Sequence, residues 1–327
     1  MKKLYLSFAL ILFSAVLIFS QEVLYNEVEV SFESKGFKLY ATLTLPLNSG
    51  KDFFPAVVMV HGSGANDRDE SLPVSQNVVI KPFMSIAHEL AKAGIASLRY
   101  DKRNFTIIKE NLLENGMVNV YPQDFIDDAR AAFDFLCSTE HIDKNRIFFI
   151  GHSEGASYAP FICKDKEFAG AILLAPGLER IDIMVIKQLE MLISIYTQNN
   201  ISNQYQSYID QYTLMRDALK SQFDLLQSGS ISEDNYIMGA TPEYFRRWKK
   251  LTESTPQDIA AMTIPVLIIN GTADMKCPVQ DLKNYESILK KNKDLEVYII
   301  DNMIHELIDQ QLNFEYKVTE KIIQWIL

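Results

Sequence analysis

Cysteine is scarce. The chain has three in 327 residues, Cys137, Cys163 and Cys277, an odd and widely spaced set. Such a trio makes no disulfide framework, allows at most one bridge, and without Cys-x-x-Cys spacing offers neither a zinc ribbon nor a dithiol redox pair. The thiols read as small buried residues. Positive charge is also short, 32 Lys and Arg against 42 Asp and Glu. A nucleic-acid partner needs a basic face, so that class is disfavoured. Long apolar runs are missing except at the N-terminus, where Lys2 and Lys3 precede Leu4 to Phe19, broken only by Ser7 and Ser14. That run is shorter than the roughly 20 residues of a spanning helix. Small Ser20 and polar Gln21 and Glu22 follow it, and no cysteine does, which argues against a lipoprotein. The layout is that of a signal peptide over residues 1–20, with Ile18 a poor match to its cleavage pattern. It predicts an exported chain, periplasmic or extracellular, that meets a membrane only through this segment if it stays uncleaved.

What remains is ample for a full hydrophobic core. The stretch VEVSFESKGFKLYATLTLPL alternates apolar and polar residues on both sides of Lys35-Gly36, as an antiparallel hairpin with one wet face does. The pattern then changes to short continuous apolar runs at 56–60, 95–98, 147–150, 171–174, 266–269 and 297–300. Strands buried on both faces look like this. Helical patterns separate them at 82–93, 122–137, 153–163, 279–291 and 314–327. Strand and helix in alternation predict an α/β fold with about eight strands in a mostly parallel sheet and helices on both faces. Residues 178–262 break the alternation. Neither glycine nor proline occurs between Gly177 and Gly229, and Ile181, Met184, Val185, Leu189, Leu192 and Tyr196 share one helical face, as do Tyr208, Tyr212, Met215, Leu219 and Phe223. The expected division is a core of 21–177 and 263–327 with a helical insertion at 178–262. Leaving the sheet at a strand's carboxyl end, where open α/β sheets hold ligands, that insertion reads as a lid.

The stretch FFIGHSEGAS sets Ser153 between Gly151 and Gly155 directly after a strand and before a helix. In a turn this sharp the two glycines remove side chains that would collide with the neighbouring strand and helix, and Ser153 becomes a candidate nucleophile. A hydroxyl needs a base, and the base needs an orienting acid. Of five histidines, His152 adjoins the serine and points elsewhere, while His61, His88 and His141 precede it. His305 follows the last strand and is the candidate base. Asp274, in VLIINGTADMKCP, follows a strand through the Gly271 turn and is the candidate acid, ahead of Asp301, which reads as a turn-former. Glu154 can offer its backbone N–H to an oxyanion, and a second donor is expected in the loop His61-Gly62-Ser63-Gly64: Ser63 N–H, with Gly64 the alternative. That loop does not continue as a phosphate-binding Gly-x-Gly-x-x-Gly.

Together HGSGANDRDE, GIASLRYDKR, GHSEGA, INGTADMKCPV and MIHEL resemble the α/β-hydrolases, and more narrowly the exported esterases of the dienelactone hydrolase and acyl-CoA thioesterase/bile-acid acyltransferase group. The resemblance covers nearly everything after residue 20, and the order Ser153, Asp274, His305 is the order of that fold. It implies a Ser-His-Asp hydrolase that needs no cofactor or metal. Export favours a small-molecule oxygen ester of short to medium acyl length over acyl-CoA. A thioesterase or acyltransferase, a peptidase of the prolyl-oligopeptidase type, and a non-catalytic binding protein are the alternatives. Lys276 and Cys277 depart from the family's pattern after the acid. Asp67-Arg68-Asp69 and Tyr100-Asp101-Lys102-Arg103 read as an ion-pair network bracing loops. EYFRRW, residues 243–248, is expected to add aromatic and cationic groups beside the lid.

Overall fold

The computed structural model describes residues 24–47, 52–75, 78–114 and 118–327. The expected signal segment, 1–20, lies outside the described residues. The hairpin about Lys35-Gly36 is the antiparallel pair β1 (Tyr25–Ser34) and β2 (Phe37–Pro46). There follow β3 (Phe54–Val60), β4 (Leu72–Ser75), β5 (Val78–Ile80), β6 (Ala96–Tyr100), β7 (Ile142–His152), β8 (Gly170–Leu174), β9 (Val266–Gly271) and β10 (Leu295–Ile300). Apart from a small β4–β5 ribbon, they form one eight-stranded sheet in the order β1-β2-β6-β3-β7-β8-β9-β10, in which β2 alone runs against the rest.

The continuous apolar runs exist because the central strands are covered on both faces. In β3, Ala56, Val58 and Val60 join one apolar cluster, and Val57 and Met59 the other. The second cluster is closed by helices Pro82–Lys92 and Lys317–Ile326, the first by helix Pro122–Ser138 among others. Each Val, Leu or Ile so enclosed contributes roughly 1.5–3 kcal/mol. Strand β10 departs from expectation: as an edge strand it leaves Val297 and Ile299 exposed. The β4–β5 ribbon was not legible because its few residues are mostly half exposed and too short to show a period.

Register decides where the loops emerge. Val60 lies beside Gly151, His152 beside Leu174, and Gly271 beside Ile300. The segments after β3, β7, β9 and β10 therefore leave at one edge. Because β6 lies on one side of β3 and β7 on the other, the crevice at this edge opens between the β3 and β7 loops.

Between β8 and β9 stand helices Ile181–Gln198, Gln206–Ser228, Pro242–Leu251 and Thr255–Ala260. Ile181, Val185 and Leu189 of the first and Leu219, Phe223 and Leu226 of the second are buried. The outer part of the hairpin differs from expectation: Tyr208 and Met215 are exposed, and Tyr196 stacks on Tyr208 and Tyr212 at 5.3 and 5.7 Å. A helical stripe looks the same in sequence whether it packs on a sheet or on an antiparallel neighbour. No helix among the described residues is long and apolar enough to cross a membrane.

Candidate active site

Ser153 stands where β7 ends and the short helix Glu154–Ser157 begins. Its backbone has φ 51° and ψ −111°, which a residue with a side chain rarely adopts. The turn is held by its neighbours: Ser153 N–H donates to the Leu174 carbonyl at 2.9 Å. A Cβ at Gly155 would lie 2.5 Å from Val60 O and 2.6 Å from His61 O, and one at Gly151 would lie 2.7 Å from Ala156 N. Backbone partners cannot swing aside. Gly155→Ala is therefore expected to destabilise the fold by about 3 kcal/mol, read as a lower urea midpoint; an unchanged midpoint would contradict this packing.

The loop after β10 brings His305 to the serine, with Nε2 3.0 Å from Ser153 Oγ. Its Nδ1 is 2.9 Å from Asp274 Oδ2, and Asp274 Oδ1 accepts the N–H groups of Lys276 and Cys277, each at 2.8 Å. All three side chains are buried. An imidazole held this way can take the serine proton and keep the resulting charge beside a carboxylate. Asp301 is exposed in the turn after β10.

Across the crevice, the N–H groups of Ser63 and Glu154 find no acceptor among the described residues. The loop carrying Ser63 is tied down on both sides. Gly62 N–H donates to Glu70 Oε1 at 2.6 Å, and the Asn66 amide donates to the carbonyls of Gly62 and Ser63 at 3.0 and 3.1 Å. Gly64 takes the left-handed backbone, φ 95°, and a Cβ on Gly62 would sit 3.3 Å from that of Ser153. The two loops meet closely here.

Of the expected ion-pair network, Arg68 engages Asp101 through Nε and Nη2 at 3.1 and 3.0 Å, Arg103 pairs with Asp128, and Arg99 with Asp69 and Glu27. Lys102 does something the sequence did not reveal. Its buried ammonium donates to the Gly62 carbonyl at 2.6 Å and to Glu154 Oε2 at 2.9 Å, while Tyr158 OH donates to Glu154 Oε1 at 2.7 Å. One cation thus ties together the backbones that carry both candidate oxyanion donors. His152 makes no side-chain hydrogen bond to Ser153 among the described residues; its ring, which lines the same cavity, lies between Glu70 and the His305 backbone carbonyl.

The site opens on a cavity of about 680 Å³. The insertion supplies an apolar wall of Ile181, Met184, Val185, Tyr244, Phe245 and Trp248, and Lys276 and Glu306, ion-paired at 2.6 Å, also line the cavity, with the Gln188 amide donating to the Lys276 carbonyl at 3.0 Å. EYFRRW carries aromatic and cationic groups on one helix of the insertion; Tyr244, Phe245 and Trp248 line the cavity, and the arginines do not. Arg246 and Arg247 pair with Glu243 at 3.1 and 2.8 Å, and Arg247 covers the Tyr121 ring, outside the cavity lining. Helix geometry explains this, since the arginines fall on the face opposite Phe245 and Trp248. All three cysteines are free, and burial pushes the Cys277 thiol well above its usual range.

Comparison with known proteins agrees with this architecture. Esterase EstD of Thermotoga maritima is 30% identical over 282 residues, 85% of this chain, and the chain spans 61% of EstD's length. Est1E from Butyrivibrio proteoclasticus superposes with a TM-score of 0.56 at 16% identity, over 91% of this chain and 97% of that one. Dienelactone hydrolase from Anabaena variabilis superposes with a TM-score of 0.53 at 15% identity, over 92% and 97%. Pyrococcus horikoshii acylaminoacyl peptidase gives 0.56 at 17% identity, over 94% of this chain and 42% of its own. At such identities the structural likeness establishes the α/β-hydrolase fold. Residues 80–311, more than half of the chain, match the hydrolase family described as serine aminopeptidase, S33, and to that family this protein belongs.

Proposed function

We propose that this protein is a carboxylic ester hydrolase working through an acyl-enzyme on Ser153. The observation that carries the proposal is the hydrogen-bonded array Ser153 Oγ, His305, Asp274 at the mouth of a partly apolar cavity. Ser153 attacks the ester carbonyl while His305 takes its proton, and Asp274 stabilises the imidazolium. The N–H groups of Ser63 and Glu154 receive the oxyanion, the alcohol leaves with the proton from His305, and water repeats the sequence to free the acid. The wall of Ile181, Met184, Val185 and Trp248 suits an acyl chain of short to medium length. Residues 178–262 are read as the lid that supplies this wall, and the N-terminal pattern favours action outside the cytoplasm.

The family description raises an aminopeptidase as the second reading. An aminopeptidase must hold a substrate ammonium, which calls for a free carboxylate near the serine. Those lining the cavity among the described residues are already engaged: Glu70 with His152, Glu154 with Lys102, Glu306 with Lys276. This favours an ester. The test is kcat/KM for p-nitrophenyl esters from acetate to decanoate, beside aminoacyl p-nitroanilides and acetyl-CoA. Esters with an optimum at short to medium length are expected. Preferential turnover of an aminoacyl anilide would reverse the assignment.

A further inference from the structure

Among the buried ion pairs that the steps above leave unused, His152 and Glu70 lie between two loops whose separation the chemistry depends on. His152 Nδ1 faces the Glu70 carboxylate, 3.0 Å from Oε1 and 2.9 Å from Oε2, and Nε2 is 2.9 Å from the backbone carbonyl of His305. Carboxylate and carbonyl are both acceptors. A ring that donates to both must carry a proton on each nitrogen, as an imidazolium does. Glu70 Oε1 also accepts the Gly62 N–H at 2.6 Å. A continuous path of hydrogen bonds therefore runs from the loop of Ser63, through Glu70 and His152, to the backbone of His305.

We propose that Glu70 and His152 are positioning residues that hold the oxyanion loop and the His305 loop in register, and that they do so while His152 is protonated. The inference rests on the ester-hydrolase reading of the same site. Neither residue touches the reacting atoms in the steps above; both act through the backbones they hold.

The charges around the ring favour this state. Facing His152 are Glu70, the His305 ring with centroid 4.9 Å away, and the Asp274 carboxylate; His61 stands behind Glu70. Burial alone would push His152 down, but the charge and hydrogen bond of Glu70 outweigh it and hold it above the usual imidazole range. Burial would likewise raise the Glu70 carboxyl, yet His152 takes it down to about 2. His61, held down to about 4 by its burial, adds no cation at neutral pH. When His305 gains a proton during the reaction, two imidazoliums face two carboxylates, Glu70 and Asp274, and the charge stays balanced.

The sign of the pH dependence follows. A group whose folded-state pKa is raised contributes fully at lower pH and loses its contribution as pH rises through that value. With only one ring proton left, either Glu70 or the His305 carbonyl must face a lone pair, and one of the two loops is released. The pH profile of kcat is thus expected to fall again on the alkaline side. Glu70→Gln keeps an acceptor for Gly62 N–H but removes the charge that holds the His152 proton. Its kcat should drop about 10²-fold at neutral pH, the cost of a small misplacement of reacting groups, with KM nearly unchanged and the alkaline limb moved to lower pH. A residue that merely supports the fold would reduce the amount of active enzyme without moving that limb.

The second measurement does not need turnover. Selective ¹⁵N-histidine labelling, with His152 assigned through His152→Gln, reads ring protonation in the wild type and in Ser153→Ala. Two protonated nitrogens on His152 at neutral pH, together with a shifted limb in Glu70→Gln, support the proposal. A bare nitrogen on His152 at neutral pH overturns it, as does an unmoved limb in a folded, ester-hydrolysing Glu70→Gln. In that second case the esterase reading survives. If the wild type cleaves no ester, that reading fails separately, and ring protonation alone decides the ion pair; it also decides if Glu70→Gln does not fold.

Discussion

Ser153→Ala is expected to lower kcat on p-nitrophenyl esters by about 10⁶-fold, the loss seen when a triad nucleophile is removed. The hydroxyl is the only atom the change deletes, and its one side-chain hydrogen bond goes to His305 Nε2, 3.0 Å away. The strained φ of 51° remains, because the glycines and the Leu174 carbonyl impose it rather than the hydroxyl. The variant should therefore fold normally, by circular dichroism and urea midpoint. Its residual rate, roughly 10³–10⁴ over water, would come from the oxyanion donors and binding. Wild-type turnover in this variant would remove Ser153 from the mechanism and require another group as nucleophile.

Asp274→Asn should come next, at about 10⁴-fold in kcat, and here the geometry dictates the reason. Asp274 Oδ1 accepts two backbone N–H groups, from Lys276 and Cys277, each at 2.8 Å. An asparagine can satisfy them only with its carbonyl oxygen, so its amide nitrogen must take the place of Oδ2, 2.9 Å from His305 Nδ1. A donor there forces the neutral imidazole to keep Nδ1 bare and to place its proton on Nε2, toward Ser153. That tautomer cannot accept the serine proton. The substitution preserves shape, so the loss should fall on kcat with KM and the urea midpoint little changed. Activity within tenfold of wild type would mean that Asp274 does not set the tautomer, and would turn attention to how else the ring is oriented.

Much of this was legible because it is local. Apolar runs such as 266–269 and 171–174 read as doubly buried strands, and that is how β9 and β8 lie. Gly-x-Ser-x-Gly between strand and helix marked the sharp turn, and a Cβ at Gly151 or Gly155 would indeed collide with backbone atoms there. His305 and Asp274 could be nominated from their places after strands, since parallel strands deliver their following loops to one edge. Edge position was less visible, so Val297 and Ile299 passed for core.

The partners of isolated charges were not legible. Glu70 and His152 are 82 residues apart and Lys102 and Glu154 are 52 apart, and no spacing rule links residues in loops that meet only across a sheet edge. The outward turn of Arg246 and Arg247 depended on which face of their helix met the cavity. The strand and helix alternation, the nucleophile turn and the identity of its candidate partners could be read from the chain alone. Those follow from backbone sterics and from side-chain periods of two and 3.6, which act between near neighbours. Which buried charges face one another, how the oxyanion loop and the His305 loop are braced, and what lines the cavity emerge only when the chain is folded. Those depend on distances between segments far apart in the chain, which packing sets and local pattern does not encode.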